Sequence, residues 1–134
     1  MSEENVEIVR EYLVALDRGS MDEAAAFWHS DIDWRAIEGA PDDIGVFRGH
    51  QAMRDYYQQW NDTFEDIGLD LIEDLIEAKD QIVAVVRVRG RMKRSDAKVD
   101  MTLAIVFMTR EGKIASGREY ADREKALEAA GLPK

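Results

Sequence analysis

Cysteine is absent from this chain of 134 residues, and proline and histidine occur only twice each. Without cysteine there is no disulfide and no thiolate chemistry, and this composition is consistent with a cytoplasmic location. No apolar run approaches the roughly 18 residues of a membrane span. The acidic N-terminus also has no apolar segment typical of a signal peptide. These absences favour a globular chain in a reducing compartment.

Basic residues are too few for a protein that binds polyanions. The chain has 18 Lys and Arg against 28 Asp and Glu, which gives a formal net charge of −10. Nucleic acid and anionic membrane surfaces need a compensating basic patch, so we expect neither as a partner. Hydrophobic residues make up 46% of the chain, enough for one core, and we expect a single domain over residues 1–134.

Metal and cofactor sites also lack their usual residues. His29 and His50 do not have the spacing of paired metal ligands, and Asp31 with Asp33 is too small a set to hold a metal. The sequence contains no glycine-rich phosphate loop and no nucleophile elbow. We therefore predict neither a metal nor a cofactor.

Apolar residues at three- and four-residue spacing predict three helices in the first half of the chain. These helices are expected at residues 3–18, from residue 20 onwards, and at residues 50–64. The second starts with a capping-box pattern and carries Phe27 and Trp28. Alternation of polar and apolar residues over 31–36 predicts a short strand, and the glycines and acids of 38–47 predict a loop.

The second half of the chain predicts strands joined by short turns. They are expected at residues 69–78 (as one strand or as two pieces), at 81–92, at 98–109, and after the turn at Glu111 and Gly112. Asp122 can cap a final helix over 123–130. Helices that flank a mainly antiparallel sheet make an α+β domain. Because the strand at 98–109 is apolar on both faces, we expect a homodimer packed through the outer face of the sheet.

Motifs from the whole chain lead to one family resemblance. They are D-R-G-S-M-D at 17–22, V-F-R-G-H at 46–50, R-E-G-K-I at 110–114 and R-E-Y-A-D at 118–122. With these motifs the chain resembles the SnoaL-like branch of the NTF2-like superfamily. The resemblance implies a cone-shaped α+β fold: three N-terminal helices against a curved, mainly antiparallel sheet, a short C-terminal helix, and an internal hydrophobic pocket.

The superfamily includes isomerases, cyclases, epoxide hydrolases and non-catalytic domains, so the resemblance alone does not select a chemistry. Of the ketosteroid isomerase set, only Tyr12 is matched. The general base of that set falls near Ala36, with Glu38 two residues further on, and the second acid falls near Ala104.

Glu119 matches the last-strand acid of the limonene epoxide hydrolase set, but the middle strand reads Arg87-Val88-Arg89 and has no carboxylate. A polyketide cyclase needs mainly one carboxylate base in an apolar pocket, and Glu119 could supply it. Two interpretations of Glu119 stay open. Burial would raise its pKa towards that of a useful base, or it forms an ion pair with Arg89 or another arginine of the neighbouring strands.

The sequence thus predicts binding of a small apolar molecule in an internal pocket, with cofactor-free acid–base chemistry of the cyclase, isomerase or epoxide hydrolase type. The alternative is a non-catalytic ligand-binding or dimerisation module. The catalytic candidates are Glu119 as the base, with Tyr12 and Arg89 as hydrogen-bond donors. The candidate substrate-binding residues are Trp34, Tyr56, Trp60, Glu38 and Ala104.

Overall fold

The chain forms four helices and one seven-stranded sheet within residues 2–37 and 45–132, the part that this computed structural model describes. The helices are α1 (Ser2–Arg18), α2 (Met21–Ala25), α3 (Gly49–Thr63) and α4 (Arg123–Ala129). The strands are β1 (Trp28–Arg35), β2 (Val46–Arg48), β3 (Phe64–Leu71), β4 (Ile76–Ala78), β5 (Gln81–Met92), β6 (Lys98–Arg110) and β7 (Lys113–Tyr120). In these two ranges no helix is long and apolar enough to cross a membrane.

The sheet is mixed and mainly antiparallel, in the order β2-β1-β7-β6-β5-β3, with β4 also paired to β5. Only β1 and β7 run parallel among the described strand pairs. This pair places the first strand of the chain beside the last, so that Trp34 lies opposite Gly117. The architecture confirms the α+β fold that the resemblance implied.

The core has an inner cluster between the sheet and the helices, and an outer cluster beneath α4. The largest fully buried side chains of the inner cluster are Trp34, Tyr12, Phe107, Ile32 and Met53. The outer cluster consists of Val83, Val85, Ala104, Val106, Ala126 and Leu127. Strand β6 contributes alternate residues to each cluster, which explains why its sequence is apolar on both faces.

Helix α4 thus covers apolar area that we predicted from the sequence to contact a second copy of the chain. It covers only one end of the outer face, and the rest carries ion pairs. Arg87 binds Asp100 at 2.5 and 2.8 Å, and Arg89 binds Asp70. The apolar surface that motivated a homodimer is therefore smaller than the sequence implied.

The homodimer stays a prediction, and sedimentation velocity at micromolar concentration tests it. We expect a species of twice the 15.3 kDa chain mass. If only the 15.3 kDa species sediments over this concentration range, the prediction is wrong.

Three predicted boundaries differ from the structure. Strand β1 already starts at Trp28, where it pairs with Ile114 of β7, although Trp28 was predicted to lie on the second helix. Strand β2 lies at the end of the predicted loop, of which residues 38–44 are outside the described part of the chain. Of the two possibilities predicted for residues 69–78, the structure has two pieces, β3 and β4, but β3 begins earlier than expected, at Phe64 directly after α3. Pairing of β3 with residues 86–92 of β5 imposes this early start, and local sequence does not encode it.

Candidate functional site

Glu119 is a buried carboxyl group on the inner face of the sheet. Alternation along β7 directs Gly117 and Glu119 inward, and Glu119 is only 8% exposed. Its Oε2 accepts hydrogen bonds from Trp34 Nε1 and from the Tyr56 hydroxyl, both at 2.6 Å. The backbone N–H of Ile37 donates to the same carboxyl group. Strands β1 and β7 and helix α3 therefore meet at this one side chain.

The surroundings of Glu119 contain no cation among the described residues that contact it. Burial raises the pKa of Glu119, and the hydrogen bonds from Tyr56, Trp34 and Ile37 only partly oppose this effect. Of the two interpretations of Glu119 that the sequence left open, the ion pair with an arginine is wrong. Arg89 points outward from β5 because it alternates with the buried Val88.

The Trp34 indole occupies the space that the absent side chain of Gly117 leaves free. A Cβ atom at Gly117 would lie 2.2 Å from Trp34 Cζ3, closer than any real contact. The indole rests on the backbone of β7, and from there its Nε1 reaches Glu119. Trp34 therefore fills the space beside the Glu119 carboxyl group.

A second hydrogen-bonded group, which we call the tyrosine relay, consists of Trp28, Tyr12 and Tyr57. The Tyr12 and Tyr57 hydroxyl oxygens are 2.8 Å apart, and Trp28 Nε1 donates to the Tyr12 oxygen at 3.1 Å. Burial raises the pKa of both tyrosines, so both hydroxyls stay neutral at pH 7. Tyr12 is fully buried, and its hydroxyl forms hydrogen bonds with Tyr57 and Trp28 and none with Glu119. Tyr57 was not among the site residues predicted from the sequence, although its neighbour Tyr56 was.

Tyr12→Phe is expected to lower the free energy of unfolding by about 2 kcal/mol, since it leaves the buried Trp28 Nε1 without an acceptor. Urea unfolding measures the change. In a Trp28→Phe background, which has no indole N–H, the same substitution should cost clearly less. If Tyr12→Phe lowers the free energy of unfolding equally in both backgrounds, the hydrogen bond between Trp28 and Tyr12 does not contribute to stability.

An open cleft lies where the corner between α1 and α2 meets the end of α3 and the start of β3. Its volume is about 240 Å³. Its apolar lining residues are Leu16, Met21, Trp60, Phe64 and Ile67. Tyr57, Asn61 and Asp66 are its main polar residues. The cleft therefore has aromatic and aliphatic walls, and it connects the surface with the tyrosine relay.

The structure separates the predicted substrate-binding residues. Trp60 lines the cleft, whereas Trp34 and Tyr56 are buried at Glu119. Ala104 lies on the outer face beneath α4, because its neighbour Ile105 is the residue opposite Glu119 on the inner face. The expectation that Ala104 lines an internal pocket is therefore wrong. Glu38 lies outside the described residues.

Arg89→Met is expected to change the free energy of unfolding by less than about 1 kcal/mol, as is usual for an exposed ion pair. Thermal and urea unfolding measure this. A larger loss would mean that the pair with Asp70 stabilises the sheet edge more than exposed pairs generally do.

Comparison with known proteins agrees with this architecture. The family model described as SnoaL-like domain matches residues 9–117, and the chain belongs to this family. Among solved structures, an NTF2-like protein from Burkholderia xenovorans is 28% identical, with 96% of this chain and 95% of that chain covered and a TM-score of 0.72. No curated protein matches the sequence.

Two further neighbours share the fold at lower identity. An NTF2-like protein of unknown function from Burkholderia pseudomallei is 19% identical, with 93% of this chain and 95% of that chain covered and a TM-score of 0.79. A protein with a ketosteroid isomerase-like fold from Catenulispora acidiphila, solved with trimethylamine, is 18% identical, with coverages of 95% and 94% and a TM-score of 0.73. Other neighbours bear names as different as isomerase, polyketide cyclase and hydroxylase, so the fold selects no activity.

Proposed function

We propose that this SnoaL-like domain binds a small, mainly apolar molecule in the cleft beside Trp60. The observation that carries this proposal is the cleft itself. Its volume of about 240 Å³ lies just below that of typical sites for drug-sized ligands. The rings of Trp60 and Phe64, with centroids 5.2 Å apart, form a continuous aromatic wall. Such a wall gains free energy by covering an apolar ligand face.

The binding proposal predicts where a ligand perturbs the protein. In ¹H–¹⁵N NMR titrations with small bicyclic compounds such as tetralin and 2-tetralone, we expect shifts at Leu16, Met21 and Asn61. The control is the more open and more polar depression lined by Asp31 and Arg110, which should not respond. Trp60→Ala should weaken binding about tenfold or more, because it removes the largest apolar wall. Shifts confined to the control depression, or no shifts at millimolar ligand, would contradict the proposal.

A second candidate function is cofactor-free acid–base chemistry by Glu119, of the cyclase, isomerase or epoxide hydrolase type. It is favoured by the raised pKa of a carboxyl group that neutral donors hold and no cation neutralises. Burying such a group costs free energy, and functional sites often retain groups of this kind. The non-catalytic alternative is favoured by a different observation, because Glu119 does not line the described cleft.

Proton transfer at Glu119 can be tested without knowing the substrate. 2-Tetralone has acidic C–H bonds beside its carbonyl group, and deuterium enters there in D₂O when a base removes the proton. We expect wild-type protein to accelerate this exchange and Glu119→Gln to lose about a hundredfold or more of the acceleration. Glu111→Gln, which removes an exposed carboxyl group, serves as the matched control. An unchanged rate in Glu119→Gln removes Glu119 from the mechanism, and no acceleration by wild type favours the non-catalytic alternative.

A further inference from the structure

We propose that the cleft selects an organic cation, a tertiary or quaternary ammonium group carried on an apolar body. This inference rests on the proposed binding function and does not require catalysis. It follows from three features of the cleft: its aromatic walls, the signs of the charges that line it, and an excess of carboxylates at the start of β3.

The aromatic walls can attract a positive charge. Trp60 and Phe64 both line the cleft, and their rings lie with centroids 5.2 Å apart and planes inclined at 39°. The face of an aromatic ring carries partial negative charge, and a cation within about 6 Å of the ring centre is attracted to it, most strongly at tryptophan. The alkyl groups of a substituted ammonium also gain free energy by covering the same rings. Such a ligand uses both properties of these walls.

The charges along the cleft favour a cation over an anion. Among the described residues that line the cleft, Asp66 is the one charged residue, and none is lysine or arginine. Lys93 joins the end of α3 through its backbone, but its side chain is exposed and is not part of this lining. The last turn of α3, which the structure describes completely, contains no basic residue. The negative end of that helix dipole therefore also favours a cation beside Trp60.

The ion pair of Asp66 does not remove the negative charge at the start of β3. Asp66 lies in a bulge of the strand, with a φ angle of 55°, and only its Oδ2 contacts Arg91. Arg91 is shared with Asp96 at 3.3 Å, and the Glu65 carboxylate acts on the same guanidinium. Three carboxylates thus surround one arginine. The formal net charge of −10 adds a longer-range attraction for cations.

The test compares 3-hydroxyphenyltrimethylammonium with 3-tert-butylphenol, in which carbon replaces the charged nitrogen and the shape is the same. NMR shifts at Leu16, Met21 and Asn61 report the affinity of each compound for the cleft. Phe64→Leu keeps an apolar wall without a ring. We expect it to weaken binding of the cation about three- to fivefold more than binding of the neutral compound. Phe47→Leu, the same change outside the described lining, is the matched control and should leave the affinity ratio unchanged.

A salt titration of wild type covers the case in which Phe64→Leu fails to fold. From about 20 mM to about 500 mM NaCl, the affinity for the cation should fall about threefold, because salt screens its attraction to Asp66 and the neighbouring carboxylates. The affinity for 3-tert-butylphenol should not fall. An aromatic anion, 3-hydroxybenzenesulfonate, should cause no shifts at the cleft residues.

The outcomes separate this inference from the binding function. A cation affinity that does not fall with salt, an affinity ratio that Phe64→Leu leaves unchanged, or binding of the sulfonate in the cleft overturns the inference. If 3-tert-butylphenol binds and the cation does not, the binding function stands and the cation inference fails. If neither compound shifts the cleft residues, both fail.

Discussion

Gly117→Ala is expected to lower the free energy of unfolding by about 3 kcal/mol, the upper part of the usual range for overpacking. The backbone at Gly117 has no left-handed φ angle, so the cost comes from contact and not from conformation. The added methyl group would lie 2.2 to 2.6 Å from three carbon atoms of the Trp34 ring. Both the indole and its hydrogen bond to Glu119 would then have to move.

Gly68→Ala is the matched control for this substitution. Gly68 also lies in a strand without a left-handed φ angle, and its added Cβ would meet only Asp17 Oδ1, at an ordinary 3.7 Å. Chemical unfolding should therefore show little change for Gly68→Ala. In a Trp34→Leu background the cost of Gly117→Ala should shrink, because the indole is gone. If Gly117→Ala lowers the free energy of unfolding as much in that background, the added methyl group destabilises strand β7 without contacting Trp34.

Wild-type protein is expected to lose stability relative to Glu119→Gln as the pH rises. The folded state raises the pKa of Glu119 above its ordinary value of 4.5. Below about pH 4.5 the group is protonated in both the folded and the unfolded state, so its full contribution is present there. Above that pH the unfolded chain releases the proton first, and the folded state loses stability until its own pKa is passed. Glutamine does not titrate and shows no such loss.

Urea unfolding of both proteins from pH 4 to pH 9 measures the difference in the free energy of unfolding. The total decline, divided by about 1.4 kcal/mol, gives the displacement of the pKa. Glu111→Gln controls for the loss of one surface carboxyl group. A difference that stays constant with pH would show that Glu119 has an ordinary pKa. If the free energy of unfolding of wild type instead rises with pH relative to that of Glu119→Gln, the folded state lowers the pKa of Glu119.

The sequence predicted most of the helices and strands, and the reason is local. The apolar spacing in α1 and α3 and the alternation in β5 and β6 follow from burial of one face of each element. Predictions failed where pairing partners decide the outcome. Strand β3 begins at Phe64 because β5 offers it backbone hydrogen bonds, and β1 begins at Trp28 because β7 does so.

For the candidate site, the sequence alone identified Glu119, Tyr12 and Trp60 as chemically distinctive side chains. It also determined the fold, because periodicity and family motifs depend on residue types and their order. Only the tertiary structure decided which groups meet. Strand parity placed Ala104 outside, and the parallel pairing of β1 with β7 brought Trp34 onto Gly117 and its Nε1 onto Glu119. These contacts join residues more than 80 positions apart, and their geometry arises from sheet register, which no local pattern encodes.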